Sequence, residues 1–378
     1  MNRFHSLDVF RGATVALMIL VNNPGNWQYV FPPLKHASWH GCTPTDLVFP
    51  FFLFAVGNAM AFVMPRLNTP ALFWKKVTRR FLLIFGIGLL LNWFPFVKWS
   101  DGLLVGKSLD TLRILGVLQR IALAYFFASM ILYYAKSRGA LVLSTLILLV
   151  YWWMAWQFGD PADPYSLQGY FGNAVDKAIL SEAHMYKGEG VPFEPEGIMS
   201  TLPSIVQVIF GYLVGEYIVT KGKSFEMVAN LFVAASLLLF TALVWDMSFP
   251  INKKIWTSSY VLYTTGLAMM ILSLGIYLIE LHNHRSVWTR FFDVFGKNPL
   301  FIYVLAGVWF KLYGLARIPN GIKDGVETFT SAHGWLFQQV FQPLLGDYGG
   351  SLAFAIAHIL VFWGIGRVMD KKKIYVRV

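Results

Sequence analysis

Long apolar runs recur along the chain, and each is about long enough to cross a lipid bilayer as a helix. A membrane span needs roughly 20 mainly apolar residues, because each backbone polar group must find its hydrogen-bond partner within the segment. About ten such runs are visible, at residues 8–23, 44–65, 78–97, 112–135, 139–157, 200–220, 226–246, 257–280, 291–314 and 350–370. The sequence therefore predicts an all-α, polytopic integral membrane protein with about ten transmembrane helices.

The composition excludes an ordinary soluble domain. Hydrophobic residues make up 56% of the 378 residues and charged residues only 13%, whereas a soluble domain carries about 25% charged residues. So few charges cannot coat the surface of a soluble protein of this length.

The distribution of positive charge predicts the orientation. Most of the 31 lysines and arginines lie near the span ends that share a side with the termini, and the others are spread through longer loops. Because basic loops stay in the cytoplasm, we expect both termini there. The net charge is +11. Because the bases are concentrated at cytoplasmic helix ends, where the topology and anionic lipid headgroups explain them, we expect no nucleic acid partner. The first run has no small-residue cleavage site and is expected to stay as a helix.

We expect one membrane domain over residues 1–378, because no repeat or linker divides the chain. Two extracytoplasmic insertions, at about 158–199 and 315–349, are poor in long apolar runs. The first contains a group of acidic residues that would attract a cationic substrate such as an amino sugar, namely Asp160, Asp163, Asp176, Glu182, Glu189, Glu194 and Glu196. The plainer interpretation is a solvated loop.

A polar segment separates the first two apolar runs, at residues 34–50 on the extracytoplasmic side. Its prolines and Gly41 predict a shaped loop, with the second helix beginning near Thr43 to Asp46. An imidazole exchanges protons near neutral pH, as a base in acyl transfer must, and Asp46 is placed to orient His36. A lone loop histidine is more often incidental, so the spacing leaves the role of His36 open.

Metal binding is not favoured by this segment. His36 and His40 have the four-residue spacing of some metal ligands, but that spacing works on a helix, and the prolines argue against one. Cys42 is the only cysteine, so the chain can form neither an intrachain disulfide nor a cysteine-rich metal site. We expect no metal.

Other polar residues fall at or inside the predicted spans, where lipid penalises them. Arg11 and Asn22 lie near the two ends of the first span, Arg120 lies inside the fourth, and Asn298 lies inside the ninth. Such residues usually face a cavity or a partner, which makes them functional candidates. The structural alternatives are a helix-packing ion pair for Arg120 and a helix-start turn for Asn298.

Several short motifs resemble one known family. They are Ser6-Leu-Asp-Val-Phe-Arg-Gly12, Val21-Asn22, His36-Ala-Ser-Trp39, Asp46-Leu-Val-Phe-Pro50, Gly116-Val-Leu-Gln-Arg120, Pro195-Glu-Gly197, Phe249-Pro-Ile-Asn-Lys253 with Trp256 and Ser259-Tyr-Val261, and Asn298 with Tyr303. In order and placement they resemble the transmembrane acyltransferase family typified by heparan-α-glucosaminide N-acetyltransferase, and specifically its shorter bacterial members.

The resemblance implies a membrane-bound acetyltransferase of the bacterial inner membrane. Members pass an acetyl group from cytosolic acetyl-CoA to the amine of a terminal glucosamine on the other side of the membrane, and the eukaryotic relative suggests a homodimer. His36 matches the catalytic histidine, and Asn22 matches an asparagine near it. The chain departs from the eukaryotic enzyme at His40, which replaces an asparagine, in a slightly longer stretch between Asn22 and His36, and in lacking a large luminal N-terminal part.

A mechanism follows as a hypothesis. Basic residues at cytoplasmic helix ends would bind the CoA phosphates, with Arg11, Arg79 and Arg80 as the first candidates and Arg120 and Asn298 as further ones. His36 would act either as general base or as a temporary acetyl acceptor, and the sequence does not separate these routes. Asn22 or a loop amide would donate a hydrogen bond to the developing oxyanion.

Two other classes fit part of the pattern. A transporter of an amino sugar or a related solute would also use many helices, buried polar residues and an acidic outer loop, although no internal repeat is visible. A membrane scaffold would have little use for Arg120 or for the histidine loop.

Overall fold

The computed structural model describes residues 4–100, 102–323 and 326–376, and helices dominate them. The first half contains α1 (His5–Asn22), α2 (Val48–Val63), α3 (Pro70–Trp93), a hairpin of β1 (Val97–Ser100) and β2 (Leu103–Gly106), α4 (Val117–Phe158) and α5 (Gly172–Leu180). The second half contains α6 (Ile198–Lys221), α7 (Phe225–Asp246), α8 (Ser258–Ile276), α9 (Val287–Lys297), α10 (Pro299–Leu315), a hairpin of β3 (Arg317–Lys323) and β4 (Val326–Ser331), α11 (Ala332–Leu336) and α12 (Gln342–Lys371). Both hairpins are antiparallel.

Six helical segments of the described chain are long and apolar enough to cross a membrane. They are Pro44–Arg66, Val117–Phe158, Ile198–Lys221, Phe225–Asp246, Ser258–Leu281 and Ala332–Lys371. A seventh is obtained if α9 and α10, which are bent by 80° at their junction, are taken as one span. The predicted helical membrane class is therefore supported, whereas the count of ten and the orientation of the termini stay predictions.

Three of the predicted spans have different bounds for identifiable reasons. The run at 291–314 is not one straight helix, because Pro299 follows Asn298 and the chain bends sharply there. The run at 112–135 begins as a helix only at Val117, after an extended Gly116. The run at 78–97 overlaps α3, which begins earlier, at Pro70 after the capping residue Thr69, and ends at Trp93, before Pro95.

Two long helices are interrupted. The backbone of α4 leaves the helical region at Lys136, where φ is 57° and ψ is −178°, between the predicted spans 112–135 and 139–157. In α12 the same happens at Gly346. At 1.5 Å per residue, 42 helical residues would extend about 60 Å, twice the hydrocarbon thickness of a bilayer. The break at Lys136 therefore divides α4 into two segments of bilayer length.

Close helix contacts fix the positions of α1 and α2. Gly57 of α2 and Gly211 of α6 face each other's helix backbone, and a Cβ atom at either position would overlap the partner helix. Gly12 of α1 and Gly296 of α9 make the same kind of contact. Small residues allow such close approach in membrane helices, where van der Waals packing replaces the hydrophobic effect as the driving force. The end of α1 and the start of α2 are thereby held firmly in place.

Candidate active site

A cavity of about 340 Å³ lies at the end of the bundle where α1 ends and four other helices begin. We call this the His36 end, and the opposite end, where α1 begins, the His5 end. The wall of the cavity includes residues that end α1 or that precede or open α2, α4, α6 and α8, namely Asn22, His36, Asp46, Arg113, Val117, Glu196, Lys253 and Trp256. Since helix starts bear partial positive charge, four of them together favour developing negative charge nearby.

His36 and Asp46 form a hydrogen-bonded pair in this wall. His36 Nδ1 lies 2.6 Å from Asp46 Oδ1, and the His36 side chain is 40% exposed whereas that of Asp46 is 2% exposed. An ionised carboxylate only accepts, so Nδ1 bears the proton that it donates to Asp46. The lone pair of the neutral ring is then on Nε2, the nitrogen not used by Asp46.

Asp46 is held by the loop that precedes α2. Its Oδ2 accepts hydrogen bonds from the backbone N–H of Ala37 at 3.0 Å, from the backbone N–H of Thr43 at 3.1 Å and from Thr43 Oγ1 at 3.0 Å. Tyr260 of α8 donates its hydroxyl to the Asp46 carbonyl oxygen at 2.5 Å. Asp46 is thus both a helix cap and the fixed partner of His36, as Thr43 and Pro44 at the start of the turn allow.

Lys253 lies close to both His36 and Asp46. Its Nζ is 3.1 Å from His36 Nδ1 and 3.4 Å from Asp46 Oδ1. Burial lowers the pKa of Lys253, whereas the carboxylates of Asp46 and Glu196 favour its charged form. The imidazole therefore has a carboxylate and an amine against one ring nitrogen.

A second charged group, centred on Arg113, closes another side of the cavity. The guanidinium contacts Glu194 Oε1 and Glu196 Oε2, each at 2.5 Å, and lies over the ring of Tyr186. Burial opposes the charge of Arg113, but the two carboxylates outweigh it and raise the pKa. Glu194 is fully buried, so this ion pair is part of the protein interior.

The insertion at 158–199 is not a merely solvated loop. Trp39 donates its ring N–H to the Tyr165 carbonyl at 2.8 Å, and Glu189 pairs with Lys254 at 2.7 Å. Asp176 accepts from the first N–H of α6, at Ile198, and burial raises the pKa of Asp176 to about 6. Four of its acidic residues therefore form an ion pair, cap a helix or line the cavity, namely Asp176, Glu189, Glu194 and Glu196.

Asn22 lines this cavity, whereas Arg120 does not. Asn22, the last residue of α1, lines it with an exposed side chain. Arg120 is in the first turn of α4 rather than deep in a span, and it is 1% exposed. Its guanidinium donates to the Gly197 carbonyl and to Ser200, and it lies 5.0 Å from the ring centre of Trp256. Trp256 lines the cavity, so Arg120 contacts its wall without lining it.

Other predicted cofactor-binding residues do not line this cavity. Arg11, at the His5 end, bonds to Asp8 and to the Gly296 carbonyl, and it lines a separate cavity of about 290 Å³ together with Arg66. Arg79 and Arg80 lie on α3, where the Arg80 guanidinium covers the ring of Tyr125. The side-chain amide of Asn298 donates to the Ile374 carbonyl and accepts from the Val376 N–H, so it holds the segment after α12 in place.

The sequence does not reveal the contacts of Lys253 and Arg113, since both count there among the bases of the longer loops, although Lys253 also ends the motif Phe249-Pro-Ile-Asn-Lys253. The usable signal was their position, because each lies a few residues before a helix whose start reaches the same end of the bundle as His36. Glu196 and Trp256 share that position. The motifs Pro195-Glu-Gly197 and Asn252-Lys253 precede α6 and α8 in the same way.

The fold and the cavity together define an integral membrane protein with a histidine–carboxylate site at one end of its helices. A family model described as "Heparan-alpha-glucosaminide N-acetyltransferase, catalytic" matches residues 3–241. The chain belongs to that family.

Two curated relatives agree with this assignment. Heparan-alpha-glucosaminide N-acetyltransferase of Mus musculus is 27% identical over an alignment of 361 positions. The match covers 80% of this chain and 53% of the mouse protein. The protein of the same name from Homo sapiens is 28% identical over 359 residues, covering 80% and 52%. The chain spans about half the length of these relatives.

Proposed function

We propose that this protein is a membrane-bound N-acetyltransferase that moves an acetyl group from acetyl-CoA to the amine of a glucosamine-type sugar. Family membership and the names of the two relatives support the reaction class. The observation that supports it most in this chain is the pairing of His36 Nδ1 with buried Asp46 at 2.6 Å inside a cavity. This arrangement leaves Nε2 as the basic atom.

The residues of the cavity fit acyl transfer. In the direct route, the acceptor amine attacks the thioester carbon while Nε2 of His36 takes its proton, and the thiolate of CoA leaves as the carbonyl re-forms. In the two-step route, Nε2 attacks the thioester carbon first and the thiolate of CoA leaves. The amine then attacks the acetyl carbon on Nε2, and the released Nε2 takes the proton of the amine. Both routes need the neutral imidazole that Asp46 orients, and in both Asn22 and the nearby helix starts stabilise the oxyanion.

The CoA nucleotide belongs, in this proposal, at the His5 end. Arg11 and Arg66 line the cavity of about 290 Å³ there, and guanidinium groups bind phosphates well. Arg11 and Asn22, which line the two cavities, are about 17 Å apart along α1 at 1.5 Å per residue. The thioester arm would therefore have to run along α1 between the helices, from a cytoplasmic His5 end to an extracytoplasmic His36 end.

A transfer assay with radiolabelled acetyl-CoA tests this function. The purified protein in liposomes would be given a panel of saccharides that end in glucosamine, and acetylated product would be counted. We expect His36→Ala to lose at least 100-fold in rate, a typical upper contribution of a general base being about 10⁴-fold. His284→Ala, an exposed histidine beyond α8, is the matched control and should retain the parental rate.

Two results would contradict the proposal. One is transfer at the parental rate by a His36→Ala protein with an unchanged thermal midpoint. The other is uptake of the sugar into liposomes without any consumption of acetyl-CoA, which would identify a transporter.

A further inference from the structure

Lys253 contacts both members of the His36–Asp46 pair. Asp46 already has three hydrogen bonds to its Oδ2 and the His36 ring at its Oδ1. Lys253 adds a second contact to that pair, with Nζ nearer to His36 Nδ1, at 3.1 Å, than to Asp46 Oδ1, at 3.4 Å. An amine that served only to neutralise Asp46 would be expected nearer to the carboxylate.

The backbone around Lys253 is tied to the histidine loop. Asn252 is fully buried, and its Oδ1 accepts the N–H groups of Lys254 at 2.7 Å and Ile255 at 3.1 Å. The N–H of Gly41 donates to the Ile251 carbonyl at 2.7 Å, which joins the segment before α8 directly to the loop of His36. Asn252 Nδ2 also contacts His40 Nδ1 at 3.3 Å. The Lys253 amine is therefore delivered to His36 by a segment with little freedom.

We propose that Lys253 is a positioning residue that acts through His36, keeping its imidazole neutral beside the Asp46 carboxylate so that Nε2 stays available as the reactive atom. A carboxylate alone stabilises the imidazolium form, in which Nε2 has no lone pair. A cation about 3 Å from the ring opposes that form. The Asp46 carboxylate orients the ring, and the Lys253 amine offsets the negative charge of that carboxylate.

Other charged groups around His36 belong to this balance. The titratable groups of the described residues that line the cavity or adjoin it include Lys35, His40, Cys42, Asp46, Arg113, Tyr186, Glu189, Glu194, Glu196, Lys253 and Lys254, with Arg120 packed against Trp256. Arg113 is occupied by Glu194 and Glu196, and Lys254 by Glu189 and the Ser38 carbonyl. Lys253 differs from these two cations in contacting a ring nitrogen of His36.

A pH titration of His36 tests this inference, with the protein in detergent and the histidines labelled at Cε1 and observed by NMR. The His36 signal would be assigned by its loss in His36→Ala. We expect Lys253→Met to move the midpoint of His36 protonation to higher pH by about one unit, a tenfold change, because a cation is removed from Nδ1. Lys253→Arg retains the charge and should leave the midpoint close to that of the parent. Lys254→Met, which removes a neighbouring charge, should shift it less.

An unchanged or lower midpoint in folded Lys253→Met would overturn the inference. If Lys253→Met fails to fold, a lower thermal midpoint will show it. The double variant Lys253→Met with Asp46→Asn is then compared with Asp46→Asn alone. The inference requires the midpoint of His36 protonation to be higher in the double variant. The consequence for catalysis rests on the proposed function. If the acidic limb of the pH–rate profile moves to higher pH in Lys253→Met together with the NMR midpoint, both the role of Lys253 and the proposed function are supported. If the NMR midpoint moves but the parental protein transfers no acetyl group, the role of Lys253 is supported and the proposed function is contradicted.

Discussion

The two ends of the helical bundle use charged side chains in different ways. At the His36 end, carboxylates with almost no exposure, Asp46 and Glu194, are bound by His36 and Arg113 around a cavity. At the His5 end, Lys297 pairs with Asp293 and Asp370, whose side chains are 13% and 19% exposed. Glu280, whose side chain is 2% exposed, pairs there with Lys223 but lines neither cavity. Burying a charge is costly unless it is well paired, so a group of buried pairs beside a cavity indicates a function, whereas the pairs of Lys297 are partly exposed and lie apart from a cavity wall.

The largest expected difference between the two ends is in transfer. Asp46→Asn should lower the rate at least 100-fold, because an amide cannot hold the Nδ1 proton of His36 as a carboxylate does. Asp370→Asn, at the His5 end, removes a carboxylate from Lys297 and should retain the rate within about twofold, since Asp370 lines neither cavity. The assay with labelled acetyl-CoA measures both. Similar rates for the two variants would remove the distinction between the ends.

A smaller difference is expected in stability. Arg113→Gln leaves Glu194 buried without a cation and should lower the free energy of unfolding by about 3 kcal/mol. Lys297→Gln should lower it by less than about 1 kcal/mol, because its partners are partly exposed. Unfolding in mixed micelles with increasing SDS gives both values. Equal losses would show that the Arg113 group is no more than a surface ion pair.

Much of the helical architecture could be read from the sequence. The predicted runs 200–220, 226–246 and 257–280 correspond closely to α6, α7 and α8, because each is an apolar stretch bounded by charged or turn-forming residues. The run at 291–314 was misplaced because hydropathy does not register a bend such as the one at Asn298 and Pro299. Charge placement also misled, since Arg120 lies at the start of α4 rather than inside it.

The site could be predicted only in part. His36 and Asp46 are ten residues apart in one loop, so local reasoning could pair them, and the structure places them in contact. Lys253 is 217 residues from His36 in the chain, and no periodicity or composition brings two such positions together. Only the packing of α1, α2, α6 and α8 does so, through contacts such as those of Gly57 with α6. The catalytic roles of His36, Asn22 and Asp46 stay predictions.

Chemical rescue tests the central claim, that the imidazole of His36 performs the transfer at this end of the bundle, most directly. His36→Ala leaves a gap in the wall of the cavity of about 340 Å³, and free imidazole added to the assay can enter it. We predict that imidazole restores part of the acetyl transfer in His36→Ala, in a manner that saturates with its concentration, and leaves the Asp46→Asn protein inactive. A His36→Ala protein that transfers acetyl groups at the parental rate without imidazole would contradict the claim.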